Sequence, residues 1–379
     1  MTAFLLWTAL LLTAILGSPL TKFPSSYDFD NCGLQQTKIN YTKLKEQGLR
    51  DDAISDDGGG GGDYDVENGV FSNENFTTQN PNKPITARII LGDLNGIRRK
   101  AMGGTIVREG EHPWAVALIY EGVYRCAGTL ISKKHVITAA HCFTGDHRNF
   151  CDSYLAQEEV IKKLEIHYGG TCVVPNDLDC EEDDYGEHNE MKSVKVVRAQ
   201  YKEFFRPWNC SNGRDIALLE LEKEINVTHI CLPHLHNDPG FRNMNIFFSF
   251  GWGSDPIQKK QVHPTLQKVE HASILKKSYC KQQYNNLPFD VVCTKEYQNK
   301  DMCSGDSGGG FVTHDIHDPP HYFIQALVSF GTNCTNLLNG ERAKTQVFTD
   351  ITYHTATIDK FIFGDQVHNA TKMMLKDWW

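Results

Sequence analysis

Short β-rich segments separated by turn residues fill the chain from Trp114 to Ile351, and this pattern constrains the fold more than any other feature. Strands at this spacing, with few helical stretches between them, are typical of antiparallel barrels and sandwiches. We predict strands over 114–120, 125–132, 135–140, 215–221, 244–250, 265–274, 323–330 and 345–351, and short helices over 276–284 and 356–363. The predicted fold class is therefore all-β.

The N-terminus is apolar from Ala3 to Leu16 and continues with Gly17, Ser18 and Pro19. This length is typical of a secretory signal peptide and too short for a membrane span. We predict a signal peptide over 1–17 and a secreted protein with no membrane span. The chain also contains 12 cysteines, which in an exported protein favour disulfides over metal binding. Six glycosylation sequons fit the same compartment, at Asn40, Asn75, Asn209, Asn226, Asn333 and Asn369.

Residues 18–100 differ in composition from the rest of the chain. The stretch 51–67, DDAISDDGGGGGDYDVE, combines many acids with five consecutive glycines, so it buries too little apolar surface to offset its ordering entropy. We interpret 18–100 as a propeptide with a flexible acidic linker. It ends in the basic triplet Arg98-Arg99-Lys100. With a net charge of −9 and no long basic run, the chain gives no sign of nucleic-acid binding.

Three motifs carry residues with chemical potential. VITAAHC (136–142) places His141 at the end of an apolar strand, GRDIALLEL (213–221) places Asp215 at the start of one, and GDSGG (305–309) places Ser307 in a glycine-rich turn. A serine hydroxyl needs a base, a group that orients the base, and donors for the developing oxyanion. The three motifs provide a candidate for each role.

TAAHC, DIAL and GDSGG, in this order, resemble the active-site motifs of the trypsin/chymotrypsin-like serine endopeptidases. HPW (112–114), GWG (251–253), VSFG (328–331) and VFT (347–349) are further matches, and the resemblance covers about 101–363. It implies a fold of two antiparallel six-stranded β-barrels with a short C-terminal helix. The domain boundaries that follow are a protease domain over 101–363 and a C-terminal tail over 364–379.

The resemblance also implies roles for the motif residues. Ser307 is expected to be the nucleophile, His141 the general base and acid, and Asp215 the residue that fixes the histidine tautomer. The N–H groups of Gly305 and Ser307 are expected to form the oxyanion hole. No cofactor and no metal is expected. Protein or peptide substrates, protein inhibitors and an activating protease are the expected partners.

In this family the residue six positions before the nucleophile lies at the base of the primary specificity pocket. Here it is Asp301, which implies cleavage after Lys or Arg by charge pairing. Ser329 and Gly331 fall on one wall. Gln346 occupies a wall position that is usually glycine in enzymes of basic specificity, so its side chain has room either to fill the pocket or to hydrogen-bond Asp301. Whether it blocks a basic residue stays open.

Family members are made as zymogens, and cleavage frees an α-amino group that pairs with the acid before the nucleophile. The corresponding residues are Lys100, Ala101 and Asp306. Ala101 stands where isoleucine is usual, which weakens insertion into an apolar socket by ~2 kcal/mol at ~0.8 kcal/mol per methylene. An activatable but less fully switched enzyme is expected.

The resemblance further implies disulfide pairings. They are Cys126–Cys142, Cys280–Cys293, Cys303–Cys334 and, joining propeptide to protease domain, Cys32–Cys231. Cys151, Cys172, Cys180 and Cys210 are left with three possible connectivities.

Two other interpretations stay open. One is a catalytically impaired protease homologue acting as a binding or regulatory module, which Ala101, Gln346 and Gly310 favour. The other is an unrelated secreted β protein. The acidic segment DLDCEEDDYGE (177–187) suggests either electrostatic steering of basic partners or a solvated loop. It lacks the spacing of an EF-hand, so no calcium site is assigned.

Overall fold

A computed structural model describes residues 26–36, 102–144, 154–173, 180, 191–201, 213–236, 246–315 and 320–364. Within them the chain forms thirteen strands and four short α-helices. The strands are β1 (Thr105–Ile106), β2 (Ala115–Tyr120), β3 (Val123–Ser132), β4 (His135–Thr138), β5 (Leu164–Tyr168), β6 (Lys192–Gln200), β7 (Ala217–Leu221), β8 (Phe247–Gly251), β9 (Gln267–His271), β10 (Val291–Lys295), β11 (Gly310–His314), β12 (Tyr322–Phe330) and β13 (Thr345–Asp350). The helices are α1 (Gln157–Lys163), α2 (Lys277–Gln283), α3 (Cys334–Leu338) and α4 (Thr355–Phe363).

The described residues form one structural unit. Its first half is a closed antiparallel barrel with the strand order β2-β3-β4-β7-β6-β5. Its strands bury the side chains that their sequences predict. In β7 every residue but Glu220 is buried, and in β6 Val194, Val196 and Ala199 point inward while the lysines stay exposed. Closure leaves no free sheet edge, so the apolar interior is sealed.

The second half is a seven-stranded antiparallel sheet with the order β1-β9-β8-β11-β12-β13-β10. The prediction of an all-β, double-barrel fold is confirmed, and the seventh strand is the two-residue β1, which pairs Thr105 with Lys268. Trp114 and Trp252 are fully buried in one core cluster to which both halves contribute. The helices predicted at 276–284 and 356–363 are α2 and α4.

Strand register brings the three motifs together. Thr138, the last residue of β4, pairs with Ala217 at the start of β7, so the segments carrying His141 and Asp215 leave the barrel side by side. Gly310 of β11 pairs with Leu327 of β12, which sets the loop before β11 beside the end of β12. The predicted strand at 215–221 begins two residues late, at Ala217, because Gly213 and Arg214 have φ of 81° and 61°.

A segment from the N-terminal region, residues 26–36, is part of this unit. Cys32 is bonded to Cys231, and Gly33 donates its N–H to the His229 carbonyl over 2.7 Å. Tyr27 is 4% exposed, and its hydroxyl accepts the Leu232 N–H at 3.0 Å. Across the described ranges, no helix is long and apolar enough to cross a membrane. The predicted signal peptide and acidic linker lie outside the described residues.

Candidate active site

His141 lies in the 3-10 helix Ala140–Phe143 that follows β4. Several contacts hold this helix against β3. The disulfide Cys126–Cys142 ties it there, and the Arg125 guanidinium donates to the carbonyls of Cys142 and, over 2.6 Å, Thr144. The imidazole therefore projects from a segment whose backbone is fixed on both sides.

Asp215 is the hydrogen-bond centre of the site and is buried. Its Oδ2 accepts from His141 Nδ1 at 2.7 Å and from the Ser329 hydroxyl at 2.6 Å, and its Oδ1 accepts the His141 backbone N–H at 2.9 Å. Because Nδ1 donates to the carboxylate, the other ring nitrogen, Nε2, is the basic one. One aspartate thus orients both the ring and the backbone of His141.

The charges of this pair stabilise each other. Burial by itself disfavours the imidazolium, but the Asp215 carboxylate outweighs burial and raises the pKa of His141, while the Arg125 charge opposes that rise. Burial likewise disfavours the carboxylate, yet His141 and the hydrogen bonds from His141 and Ser329 lower the pKa of Asp215. Asp215 therefore stays ionised while His141 gains basicity.

Asp290, which no motif indicated, holds the backbone of the two residues before Asp215. Its buried carboxylate accepts the Arg214 N–H at 2.7 Å and bonds His354 Nε2 at 2.8 Å. A Cβ on Gly213 would overlap the same carboxylate. The left-handed turn before β7 is thus held by an acid from the second half of the unit.

Ser307 sits in a tight turn between Cys303 and β11. Asp306 donates its N–H to the Cys303 carbonyl at 3.0 Å, and the Ser307 carbonyl accepts from Ala127 N at 3.0 Å. Gly308 has a φ of 79°, and a Cβ on it would overlap the Thr138 hydroxyl and lie 2.7 Å from Ala139 N. Only glycine allows the turn to pack this closely on the segment that leads to His141.

Tyr124 holds the same turn from β3 and is a functional candidate that the motifs did not reveal. Its hydroxyl donates to the Gly305 carbonyl at 2.7 Å, and its ring contacts Trp252 edge-on. Gly305 itself has a φ of 100°. Burial, together with the nearby Asp306, raises the pKa of Tyr124 far above its ordinary value, so the hydroxyl keeps its proton. The register of β3 shifts between Cys126, which pairs with Leu118, and Tyr124, which pairs with Ile119, so simple alternation along the sequence does not predict where Tyr124 points.

Asp306 is buried behind the turn. Its two carboxylate oxygens accept the N–H groups of Gly253 at 2.7 Å and Cys303 at 2.8 Å. Burial raises its pKa to about 6 despite these bonds. Nearby, Met102 is fully buried beside the Cys303–Cys334 disulfide, and its carbonyl accepts from Asp301 N at 2.9 Å. Lys100 and Ala101, the predicted activation residues, lie outside the described residues.

Three of the four predicted pocket residues are close together. Asp301 and Gln346 are almost completely buried, and Gly331 follows the end of β12. A Cβ on Gly331 would overlap Gln346 Oε1, so the glutamine amide fills the space next to Gly331. The fourth, Ser329, bonds Asp215 through its hydroxyl. Glu296, missed by the sequence analysis, lies in the same place. Burial and the Glu296 carboxylate raise the pKa of Asp301 well above its usual range.

Cysteines at the predicted positions are bonded as Cys32–Cys231, Cys126–Cys142, Cys280–Cys293 and Cys303–Cys334. Of the four cysteines left open, Cys172 and Cys180 are bonded to each other. Cys151 and Cys210 lie outside the described residues. The Cys303–Cys334 bond joins the turn that carries Ser307 to α3, just beyond Gly331.

Comparison with known proteins agrees with this geometry. The Trypsin family model matches residues 101–356. The chain is 34% identical over 280 residues to the trypsin-like protease try-5 of Caenorhabditis elegans, an alignment covering 66% of this chain and 83% of that protein. It is 28% identical over 292 residues to CLIP domain-containing serine protease B8 of Anopheles gambiae, covering 71% of this chain and 69% of that one. Snake venom serine protease KN3 of Trimeresurus stejnegeri is 28% identical over 295 residues, covering 74% and 95%.

Fold, site and comparisons define a serine-type endopeptidase. The chain belongs to the trypsin family.

Proposed function

We propose that the chain is the secreted zymogen of an endopeptidase that hydrolyses peptide bonds after Lys or Arg. The observation that carries the catalytic assignment is the arrangement around Asp215. A buried, ionised carboxylate binds His141 through Nδ1 and its backbone N–H, and leaves Nε2 as the base. That basic nitrogen is what a serine nucleophile requires.

In the proposed mechanism Ser307 Oγ attacks the carbonyl carbon of the scissile bond as its proton moves to His141 Nε2. The carbonyl oxygen becomes an oxyanion, which the N–H groups of Gly305 and Ser307 stabilise. The C–N bond then breaks, and the imidazolium gives its proton to the leaving amine. Water then attacks the carbonyl carbon of the acyl-enzyme as one of its protons moves to His141 Nε2. The ester bond to Ser307 Oγ breaks, the acid product leaves, and the imidazolium returns the proton to Oγ.

Activation is proposed to follow cleavage after Lys100 by another protease. The new amino group of Ala101 would pair with Asp306, whose buried carboxylate already organises the turn through Gly253 and Cys303. The burial of Met102 beside Cys303 supports this proposal, because it brings the chain just after the cleavage point next to that turn. Protein inhibitors that occupy the cleft are further expected partners.

Secretion is supported by the apolar leader, the sequons and the disulfides. The described disulfides link cysteines that are buried, except for the half-buried Cys180, as expected for a chain that matures in an oxidising compartment. The Asp301 carboxyl in the pocket supports basic specificity, with a cation as its natural partner.

Fluorophosphonate labelling tests the proposal. The purified precursor is treated before and after limited cleavage at Lys100, with peptide mapping of the label and Ser307→Ala as the control. Labelling at Ser307 that appears only after cleavage supports an activatable enzyme. A correctly cleaved, disulfide-intact protein that never takes up the label contradicts it and leaves a protease fold used for binding.

A further inference from the structure

The primary pocket contains a second carboxyl group, Glu296, just after β10. It is 3% exposed. Its Oε1 accepts the Thr332 N–H at 2.6 Å and its Oε2 accepts the Lys344 N–H at 2.7 Å. Thr332 follows the wall residue Gly331, and Lys344 lies two residues before Gln346. Glu296 therefore links the two walls of the pocket through main-chain donors.

Acceptor oxygens converge in this pocket without matching donors. Gln346 Oε1 is buried and has no hydrogen-bond partner, and the side-chain partner of the buried Asp301 carboxyl is a second acid, Glu296. A Cβ on Gly331 would overlap Gln346 Oε1 and lie 2.7 Å from Glu296 Oε1, so these two oxygens border the same small volume. The Asp301 carboxyl lies against Glu296, whose charge raises its pKa after the larger effect of burial. Buried acceptors are normally satisfied, so the cluster fits a ligand with several donors.

The size of the cluster discriminates between the two basic side chains. Gln346 Oε1 lies against Gly331 and so occupies part of the space at that wall. An ammonium group is compact and carries three donors that point in different directions. A guanidinium is larger and planar, and it pairs best with a carboxylate presented edge to edge. Acceptors from Glu296, Asp301 and Gln346, on three separate segments, suit the ammonium.

We propose that the primary pocket of this enzyme selects lysine over arginine, with Glu296, Asp301 and Gln346 as the acceptors of the lysine ammonium group. This specificity rests on the endopeptidase function proposed above. Glu296 supplies the negative charge, held in place by two backbone bonds. Asp301 contributes its carboxylate oxygens when the cation is bound. Gln346 sets the depth, and thereby excludes the longer guanidinium.

Turnover of matched peptides tests the selection. Fluorogenic substrates that differ only at the cleaved residue, Lys, Arg or Ala, are compared on activated enzyme whose concentration is fixed by fluorophosphonate titration of Ser307. We expect kcat/KM for Lys to exceed that for Arg at least about tenfold. Gln346→Gly should raise the Arg value and reduce the ratio about tenfold or more. Gln298→Gly, which alters an exposed glutamine of the neighbouring loop, is the matched control and should leave the ratio unchanged.

A binding measurement examines the pocket independently of catalysis. Calorimetric titration of cleaved Ser307→Ala protein with butylamine and with propylguanidine should show the amine binding more tightly, and Glu296→Gln should weaken the amine about tenfold or more. Equal affinity for the two compounds, or tighter binding of the guanidine, overturns the assignment. In the peptide assay, faster cleavage after Ala than after Lys also overturns it and means that Gln346 closes the pocket. If cleaved protein that retains Ser307 takes up no fluorophosphonate but the pocket still binds the amine more tightly, the proposed endopeptidase is refuted and the pocket assignment stands.

Discussion

Replacing Tyr124 with phenylalanine should disturb the turn that carries Ser307 while leaving the rest of the fold nearly unchanged. The hydroxyl donates to the Gly305 carbonyl at 2.7 Å and accepts the Trp252 N–H at 3.4 Å. Its loss leaves the partly buried Gly305 carbonyl without this donor, which costs about 1–3 kcal/mol. Part of that strain is relieved by rotation of the Gly305 peptides, and this displaces the N–H assigned to the oxyanion hole.

The expected size of the effect follows from the role of that N–H. Complete loss of one oxyanion-hole donor costs about 2.7–4 kcal/mol of transition-state stabilisation. Because Gly305 stays in place and only its orientation loosens, we expect about half of that loss, or roughly a ten- to thirtyfold fall in kcat at 1.4 kcal/mol per tenfold. KM should change less than about twofold, since the donor acts on the oxyanion and not on the bound ground state.

Tyr201→Phe is the matched control. Tyr201 gives the same kind of bond, from its hydroxyl to the Leu155 carbonyl at 2.7 Å, and its ring stacks on Phe143, a contact that phenylalanine keeps. Both variants should lower Tm by a few degrees, and only Tyr124→Phe should lower kcat and the rate of fluorophosphonate labelling. Equal kcat values in the two variants, or a rise in KM alone for Tyr124→Phe, would refute the reasoning.

Three further outcomes are expected. Catalysis needs the neutral ring of His141, and Asp215 raises the pKa of that ring against the effect of burial. In a profile from about pH 5 to about pH 9, kcat/KM should therefore fall as the pH drops through a midpoint above 6.5. A midpoint below 6.5 contradicts the charge pair. Gly308→Ala should lose more than about 3 kcal/mol of stability or fail to fold, because its Cβ has no space and its φ is positive, and a near-normal denaturation midpoint would show that the turn can move. Cys231→Ser should free the N-terminal segment after cleavage at Lys100, seen as two chains on a non-reducing gel; a single band would mean that another bond holds it.

The sequence predicted the parts of the site whose residues are close along the chain. His141, Asp215 and Ser307 lie in short motifs with a fixed residue order, and the structure brings their three segments together through the β4–β7 pairing and the packing of Gly308 on Thr138. Whether they act as proposed is a matter for the labelling experiment. The strand class was also predictable, because short alternating runs have few other solutions.

What the sequence did not reveal depends on contacts between distant residues. Tyr124 bonds a carbonyl 181 positions away, and Arg214 bonds Asp290 across 76 positions. Glu296 looks like a surface acid in its own segment and becomes a pocket residue only when Thr332 and Lys344 fold onto it. A local pattern carries no information on such pairings, since register and packing decide them.

Two strands that were not predicted from the sequence show the same limit. β6, KSVKVVRAQ, carries buried Val194, Val196 and Ala199 between exposed residues, but its lysines make the segment look like a charged loop. β11 was missed because it begins at Gly310, within the glycine run of the nucleophile motif, where a turn was the natural interpretation. In both cases the strand is stabilised by pairing with a neighbour, β6 with β7 and β11 with β12, and not by a strong β propensity of its own sequence.

The docked segment 26–36 changes what counts as the smallest stable unit of this protein. Its Gly33 donates its N–H to the His229 carbonyl and accepts the Tyr322 N–H, so it bridges the stretch after the barrel and strand β12 of the sheet. A recombinant protein that starts at residue 101 would lose this bridge, uncover the surface under Tyr27, and leave Cys231 as an odd thiol able to cross-link two molecules. Expression should therefore begin upstream of Ser26, with the cleavage at Lys100 made afterwards in the folded, oxidised protein.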